Sequence, residues 1–255
     1  MRPLARFGQN FLHDQNIVRA IVDDAVEGLG DLSEPTQILE IGPGLGALSG
    51  EILSRKLPLA AIEIDRGLAA FLREQFKDEP HFLLVEGDAL DLLPTAGAAI
   101  SPRLILGNLP YNISTPLLAL ALALPEPPQR LVLMLQREVA ERLAARHDTP
   151  DYGALSILVQ VGYAVRIVRK LSPSVFYPAP EVESAVVRFD RLAVPLLPEK
   201  EEGLFHDFVK KGFSQRRKKL SNTLGQYLEG EVATKRPGEL SVGEWVALWK
   251  ARRQT

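Results

Sequence analysis

No cysteine occurs among the 255 residues, which excludes disulfide staples and any thiolate metal site. Long apolar runs are missing as well. None reaches the roughly 18 uninterrupted residues that cross a bilayer, so membrane insertion is not expected. The stretch MRPLARFGQNFLHD at the start lacks the apolar h-region and small-residue cleavage site of a secretory signal, and cytoplasmic residence is the expectation. Histidine is scarce: of the four, at positions 13, 81, 147 and 206, only His13 falls in a motif. No metal site is expected. Two methionines, few asparagines and 19 prolines suit a thermophilic source. What remains is 46% hydrophobic and 24% charged, enough to bury a sizeable core in one large domain or one and a half ordinary ones.

The formal net charge of -2 hides an asymmetry. Residues 193–255 hold 12 Lys/Arg against 8 Asp/Glu, which leaves 18 against 24 for residues 1–192. The tail is the basic part.

Along the chain the apolar pattern alternates between two periods. After Asp14, an N-cap, the residues Ile17, Val18, Ile21, Val22, Ala25 and Val26 recur at helical spacing. Short runs rich in Leu, Ile and Val then follow at 37–42, 59–65, 81–88, 103–108 and 130–135, with helices through Leu48–Leu53 and Leu68–Phe76 between the first of them. Such runs suit strands buried on both faces of a parallel sheet. Residues 163–171 and 184–190 can pair as an antiparallel edge hairpin across the SPSVFYPAPEVE loop. The expected fold is an open α/β sheet, mostly parallel with an antiparallel edge. PLLPEKEEG then reads as a linker, so two domains are expected: 1–192, carrying the sheet, and 193–255, small and all-helical.

The stretch ILEIGPGLGALSGEIL (38–53) is a strand, a glycine turn and a helix in succession. Gly42, Gly44 and Gly46 let a ligand approach the backbone closely and leave helix N–H groups facing it. The spacing is one residue short of the dinucleotide fingerprint, so a pyrophosphate fits less well. Glu63 follows Gly42 by 21 residues, the place where an acid can accept ribose hydroxyls of an adenosine-bearing cofactor. Asp65 shares its face but reads as a helix cap, and Asp88, in EGDAL, either binds an adenine amine or caps a helix too.

A second site lies in LILGNLPYNIST (104–115), where a strand stops at an amide, a proline and a ring. Methylating the exocyclic amine of adenine requires the nitrogen lone pair to leave conjugation with the ring. A side-chain oxygen from Asn108 and the backbone carbonyl of Leu109 can accept both N–H groups and favour a pyramidal nitrogen without taking up a proton. Pro110 stiffens the turn, and Tyr111 can stack on a flat base. The alternative is a strand-to-loop turn with a buried tyrosine.

Taken jointly, FGQNFLHD (7–14), LEIGPGLGALS (39–49), IEID (62–65), EGDAL (86–90), GNLPYNISTPLL (107–118) and FYPAPEVES (176–184) resemble the S-adenosylmethionine-dependent adenine dimethyltransferases of small-subunit ribosomal RNA. The likeness covers most of the chain and implies a Rossmann-like methyltransferase sheet. It implies that Asn10 and Leu12 close over the cofactor, that Gly42, Glu63, Asp88 and Asn108 hold it, that Asn108 and Tyr111 address the target base, and that Phe176 stacks on the base's other face. From the residues alone, Asn10 and Leu12 can equally be an arm packed on the sheet, and Phe176 can be core. The implied reaction gives dimethyladenosine at two adjacent positions near the 3' end of 16S rRNA in the pre-ribosomal small subunit, by a monomer.

In the tail, FVKKGFSQRRKKLSNTL (208–224) gathers Lys210, Lys211, Arg216, Arg217, Lys218 and Lys219 without an acid among them. On one helix with Phe208, Phe213, Leu220 and Leu224 as its apolar face, these cations form either a solvated face or a contact for RNA phosphates. Rival readings are an RNA-binding ribosome-assembly factor whose chemistry is secondary, an adenine methyltransferase of large-subunit rRNA, and a nicotinamide-dependent dehydrogenase. Glycine spacing and the lack of a proton-transfer histidine in the crevice disfavour the last.

Overall fold

A computed structural model describes residues 10–198, 201–225, 228 and 230–252; Phe7 to Gln9 of the first motif lie outside them. Among these residues nine strands form, β1 (Phe11–Leu12), β2 (Ile38–Ile41), β3 (Leu59–Glu63), β4 (Phe82–Glu86), β5 (Leu104–Asn108), β6 (Arg130–Gln136), β7 (Tyr163–Leu171), β8 (Phe176–Tyr177) and β9 (Ser184–Arg191). The helices are α1 (Gln15–Val26), α2 (Ala47–Ser54), α3 (Arg66–Gln75), α4 (Ala89–Leu92), α5 (Ala98–Ile100), α6 (Ser114–Leu122), α7 (Arg137–Ala144), α8 (Ala154–Gln160), α9 (Glu202–Phe213), α10 (Ser221–Leu224) and α11 (Val242–Ala251).

The expected open sheet is present as seven strands in the order β4-β3-β2-β5-β6-β9-β7. β2 pairs in parallel with both β3 and β5, and β3–β4 and β5–β6 are parallel too. At the other edge, Leu192 N–H bonds the Gly162 carbonyl and Arg166 pairs with Asp190. The end of β9 thus meets the start of β7, as an antiparallel hairpin requires. The edge position of β4 leaves Leu83 49% exposed, so that strand is not buried on both faces as its composition suggested.

The chain divides into two compact units. One runs to Arg137 and includes Ile167–Phe189; the other comprises Glu138–Arg166 and the chain from Asp190. The expected break after residue 192 lies close to the start of the second unit's later segment, but that unit also takes up 138–166, which the sequence pattern assigned to the sheet domain. Tyr152, Ile157 and Val161 explain the difference, because they are buried in one cluster with Phe205, Phe208, Trp245 and Trp249.

In the first unit, alternation aims Ile38, Leu104, Leu106, Val132 and Met134 at Val18, Ile21, Val22 and Ala25 of α1 and at Ile52 and Leu53 of α2. Each Val, Leu, Ile or Met among them stabilises the fold by about 1.5–3 kcal/mol on burial. Asp14 caps α1, accepting from the N–H groups of Asn16 and Ile17 at 2.9 and 3.2 Å. At its other end, Arg130 donates to the Ala25 and Glu27 carbonyls and Arg188 to the Asp24 carbonyl. These are cations placed where the helix dipole is negative.

Candidate active site

The strand order reverses direction between β2 and β5, and ligands of open α/β sheets bind at such a point, outside the carboxyl ends of the strands. A cavity lies there, within the first unit, and its lining includes Asn10, Leu12, Gly42, Gly44, Glu63, Asp88, Asn108, Leu109 and Tyr111. Residues spread over a hundred positions of sequence are thus brought together as expected.

The glycine loop owes its shape to backbone conformations that other residues rarely adopt. Gly42, Gly44 and Gly46 have φ of 67, 61 and 78°. At Gly44 a side chain would also press on Phe11, whose ring carbon lies 3.0 Å from where a Cβ would stand. The arm at 10–12 therefore packs directly over the loop.

Glu63 is 3% exposed at the end of β3. One carboxylate oxygen accepts from the Gly44 N–H at 3.1 Å and the other from the Asp65 N–H at 2.9 Å. Burial raises its pKa, against the opposing pull of the Asp65 and Gly44 N–H groups. A carboxylate offers about four acceptor sites, so capacity remains for hydroxyl donors in the cavity. Asp65 is a cap, accepting from Gly67 and Leu68 at the start of α3. Asp88 likewise caps α4 through one oxygen, 2.8 Å from the Leu90 N–H, while lining the cavity. Capping the helix and lining the cavity are compatible for this side chain.

At the end of β5, the Asn108 amide donates through Nδ2 to the Asn10 carbonyl at 2.6 Å. A carbonyl can only accept, so this contact fixes which end of the amide is nitrogen and leaves Oδ1 as the acceptor on the other side. The Tyr111 hydroxyl lies 2.7 Å from Ser184 Oγ at the start of β9, and Ser114 Oγ donates to the Tyr111 carbonyl at 3.0 Å. Side chain and backbone of this residue are both tied.

Phe176 is not brought into the cavity. It is 4% exposed and belongs to the main core cluster with Leu12 and Leu171. The reason is a second, two-stranded sheet in which β1 pairs antiparallel with β8, Leu12 opposite Phe176 and Phe11 opposite Tyr177. Opposed residues share a face, so Phe176 lies behind Leu12 in the core cluster, and of the two it is Leu12 that reaches the cavity wall.

Glu40 was missed by sequence reasoning. It lines the cavity from the middle of β2 at 1% exposure, accepts from Ser49 Oγ at 2.5 Å, and burial pushes its pKa up to about 7. The available signal was an acid inside a four-residue strand that is otherwise Ile and Leu. Ser184, also missed, is a buried hydroxyl at a strand start, which sequence alone does not mark as a partner for Tyr111.

The six basic residues of the tail belong to the second unit, and all six are exposed. They do not lie on one helix. α9 ends at Phe213, and Arg216 to Lys219 occupy the turn before α10. Gly212 fits under Trp245, where a Cβ would collide with the indole. Phe213 stacks on that same indole, and buried Leu220 is held by the Lys235 carbonyl at 2.8 Å. These anchors turn the chain and leave the cations outside.

Comparison with known proteins places this geometry among others. The model of a family described as ribosomal RNA adenine dimethylase matches residues 4–247. A ribosomal RNA small subunit methyltransferase A of Synechococcus sp. is 40% identical, over 96% of this chain and 91% of the relative. One from Syntrophotalea carbinolica is 44% identical over 88% and 82%. Among solved structures, a dimethyladenosine transferase from Plasmodium falciparum superposes with a TM-score of 0.78 at 21% identity, covering 96% of this chain and 98% of that one. The 23S rRNA methyltransferase ErmE superposes with 0.74 at 24% identity, covering 96% and 100%. The two superpositions establish the fold, a Rossmann-like methyltransferase sheet.

Proposed function

Because the chain belongs to the ribosomal RNA adenine dimethylase family, we propose that it transfers methyl groups from S-adenosylmethionine to N6 of two adjacent adenosines near the 3' end of small-subunit rRNA. It acts as a monomer on the pre-ribosomal particle, in the cytoplasm; among the described residues no helix is long and apolar enough to cross a membrane.

The observation that carries this reading is the fixed Asn108 amide, which donates through Nδ2 to Asn10 and keeps Oδ1 as an acceptor, on a residue that lines the same cavity as Glu63 and the glycine loop. When bound, S-adenosylmethionine supplies an electrophilic methyl group on a sulfonium sulfur. The residues fit such a group: Glu63 accepts ribose hydroxyls, Asp88 accepts from the adenine amine, Gly42 leaves open space beside the loop, and Asn10 and Leu12 cover the site. Asn108 Oδ1 and the Leu109 carbonyl accept the two N–H groups of the target amine and favour a pyramidal nitrogen. Tyr111, tied to Ser184, presents its ring to the flat base. The alkylated nitrogen is cationic and releases its proton to solvent, so positioning does most of the work. After one transfer a single N–H remains, which either acceptor can hold, and a second methylation follows.

The test is incubation with labelled S-adenosylmethionine and small subunits lacking the methyl marks, followed by mapping of modified nucleotides by mass spectrometry. Two dimethyladenosines are the expected product. Label confined to large-subunit RNA, or monomethylation only with donor in excess, overturns the assignment.

A further inference from the structure

The β1–β8 ladder that carries Phe176 into the core carries its neighbour outward. Phe11 and Tyr177 stand opposite one another and share the outer face. Phe11 is half-buried over the glycine loop and lines the cavity. Tyr177 is 67% exposed, the most exposed aromatic among the described residues. A single exposed ring needs no explanation by itself, but the position of this one does. It lies about 5 Å along the ladder from a residue of the cavity wall. Pro178 and Pro180 follow it and restrict the backbone. The same segment, seven residues on, supplies the Ser184 hydroxyl that fixes Tyr111.

The loop after Tyr177 carries Glu181 and Glu183, and Glu183 is already paired with Arg137. Glu183 is thereby neutralised, and what the exposed Tyr177 offers a nucleic acid is the π-face of its ring, on which an unpaired base can stack. An enzyme that extrudes a base also strips a stacking partner from the nucleotide next to it, and an aromatic ring replaces such a partner with little regard to sequence.

We propose that Tyr177 is a stacking platform for the unpaired nucleobase that flanks the target adenosine. The proposal rests on the function given above, and the experiment separates the two. Methyl transfer to unmethylated small subunits is measured for wild type and for Tyr177→Ala, Tyr177→Leu, Tyr177→Phe and Tyr177→Trp. In parallel, benzoylphenylalanine is placed at position 177 and irradiated on small subunits. Tyr177→Ala and Tyr177→Leu are expected to raise KM about tenfold, the scale of one lost base–aromatic stack, with kcat little changed. The two aromatic replacements restore KM, and the crosslink falls on a nucleotide adjacent to a target adenosine. A wild-type KM in Tyr177→Ala, full restoration by Leu, or a crosslink to a ribosomal protein overturns the platform. If wild type transfers no methyl, the proposed function fails and the platform with it; if wild type transfers methyl normally and the Tyr177 variants match it, the platform alone fails.

Discussion

The hydroxyl of Tyr111 and Oγ of Ser184 lie 2.7 Å apart, across 73 residues of sequence. Ser184 is 1% exposed, so this partner is not exchanged for water, and the ring of Tyr111 is held in one orientation. Ser184→Ala removes the tie while leaving the ring in place. It is expected to lower kcat about tenfold, equivalent to about 1.4 kcal/mol of lost orientation, with KM little changed. Tyr111→Phe should do the same. Because both changes remove one interaction, the double variant should be no worse than either single one. Ser184→Thr, which keeps the hydroxyl, should recover most of the rate. Additive losses, or a drop in KM alone, would contradict the positioning role.

Asn108 is needed for both ends of its amide. Asn108→Ala should reduce turnover about a hundredfold, the scale for losing a preorganised polar group that acts in the transition state, with RNA affinity unaffected. Asn108→Asp separates the two ends. It keeps an oxygen for the target amine but sets a second oxygen against the Asn10 carbonyl, where a donor now stands 2.6 Å away. Single-turnover rates should therefore place Asn108→Asp with the alanine variant, and wild-type activity would mean the Asn10 contact is dispensable.

Glu63 joins β3 to the glycine loop through Gly44 and is also the proposed ribose acceptor. Glu63→Ala should weaken S-adenosylmethionine binding by about 1–3 kcal/mol, the range for losing a charge-assisted acceptor in a buried site. Calorimetry is the measurement. Unchanged affinity in a folded variant would assign the carboxylate to loop structure alone.

The buried acid of β2 gives a pH dependence whose sign is fixed. In the unfolded chain Glu40 ionises near 4.5, and in the fold near 7, because burial penalises its charged form, with Ser49 opposing and nearby Glu63 adding to the rise. Between those values the folded protein keeps a proton that the unfolded chain has released. The stabilisation is complete below 4.5 and is lost as pH rises through about 7, an effect of the order of 3 kcal/mol. Urea unfolding from pH 5 to 8 should show Glu40→Gln with a flatter profile than wild type. Parallel profiles would show that the carboxyl stays ionised in the fold.

The parallel strands were legible because each is a short apolar run closed by turn residues, and the cavity because its glycines and acids sit at the ends of those runs. Three features were not. Residues 138–166 follow the sheet in sequence, yet they pack with Trp245 and Trp249; such long-range choices leave no local signature. The side to which Phe176 points depends on a two-residue ladder with the arm at 11–12, and a one-residue slip would send it the other way. The basic run looked helical because its apolar residues have helical spacing. Phe208, Leu220 and Leu224 are core residues and Phe213 packs half-buried against them, but the turn between them is set by the packing of Gly212 and Leu220.

That turn also sharpens what the basic residues should do. Lys210 and Lys211 lie in the last turn of α9, and Arg216 to Lys219 follow on the exposed turn, so all six cations occupy one short stretch of surface. Contact with RNA phosphates releases counterions, and affinity then falls steeply as salt rises. Each contacting residue neutralised should reduce the slope of log affinity against log salt by about 0.7 to 0.9, the values for single-stranded and duplex nucleic acid. The six need not be equivalent. The Arg216 guanidinium donates to the carbonyls of Thr149 and Pro150 in its own unit, so Arg216→Gln should change the slope less than Arg217→Gln, Lys218→Gln or Lys219→Gln. The choice of methylated nucleotide should survive all of these changes, since phosphate contacts set position while the base cavity does the reading. The measurement is a salt titration of small-subunit binding for wild type, the single variants and a variant with all six changed to Gln. Equal slopes for wild type and the six-fold variant would show that the run is an ordinary solvated surface, and the RNA contact would then have to lie on the sheet unit, around Tyr177 and the mouth of the cavity.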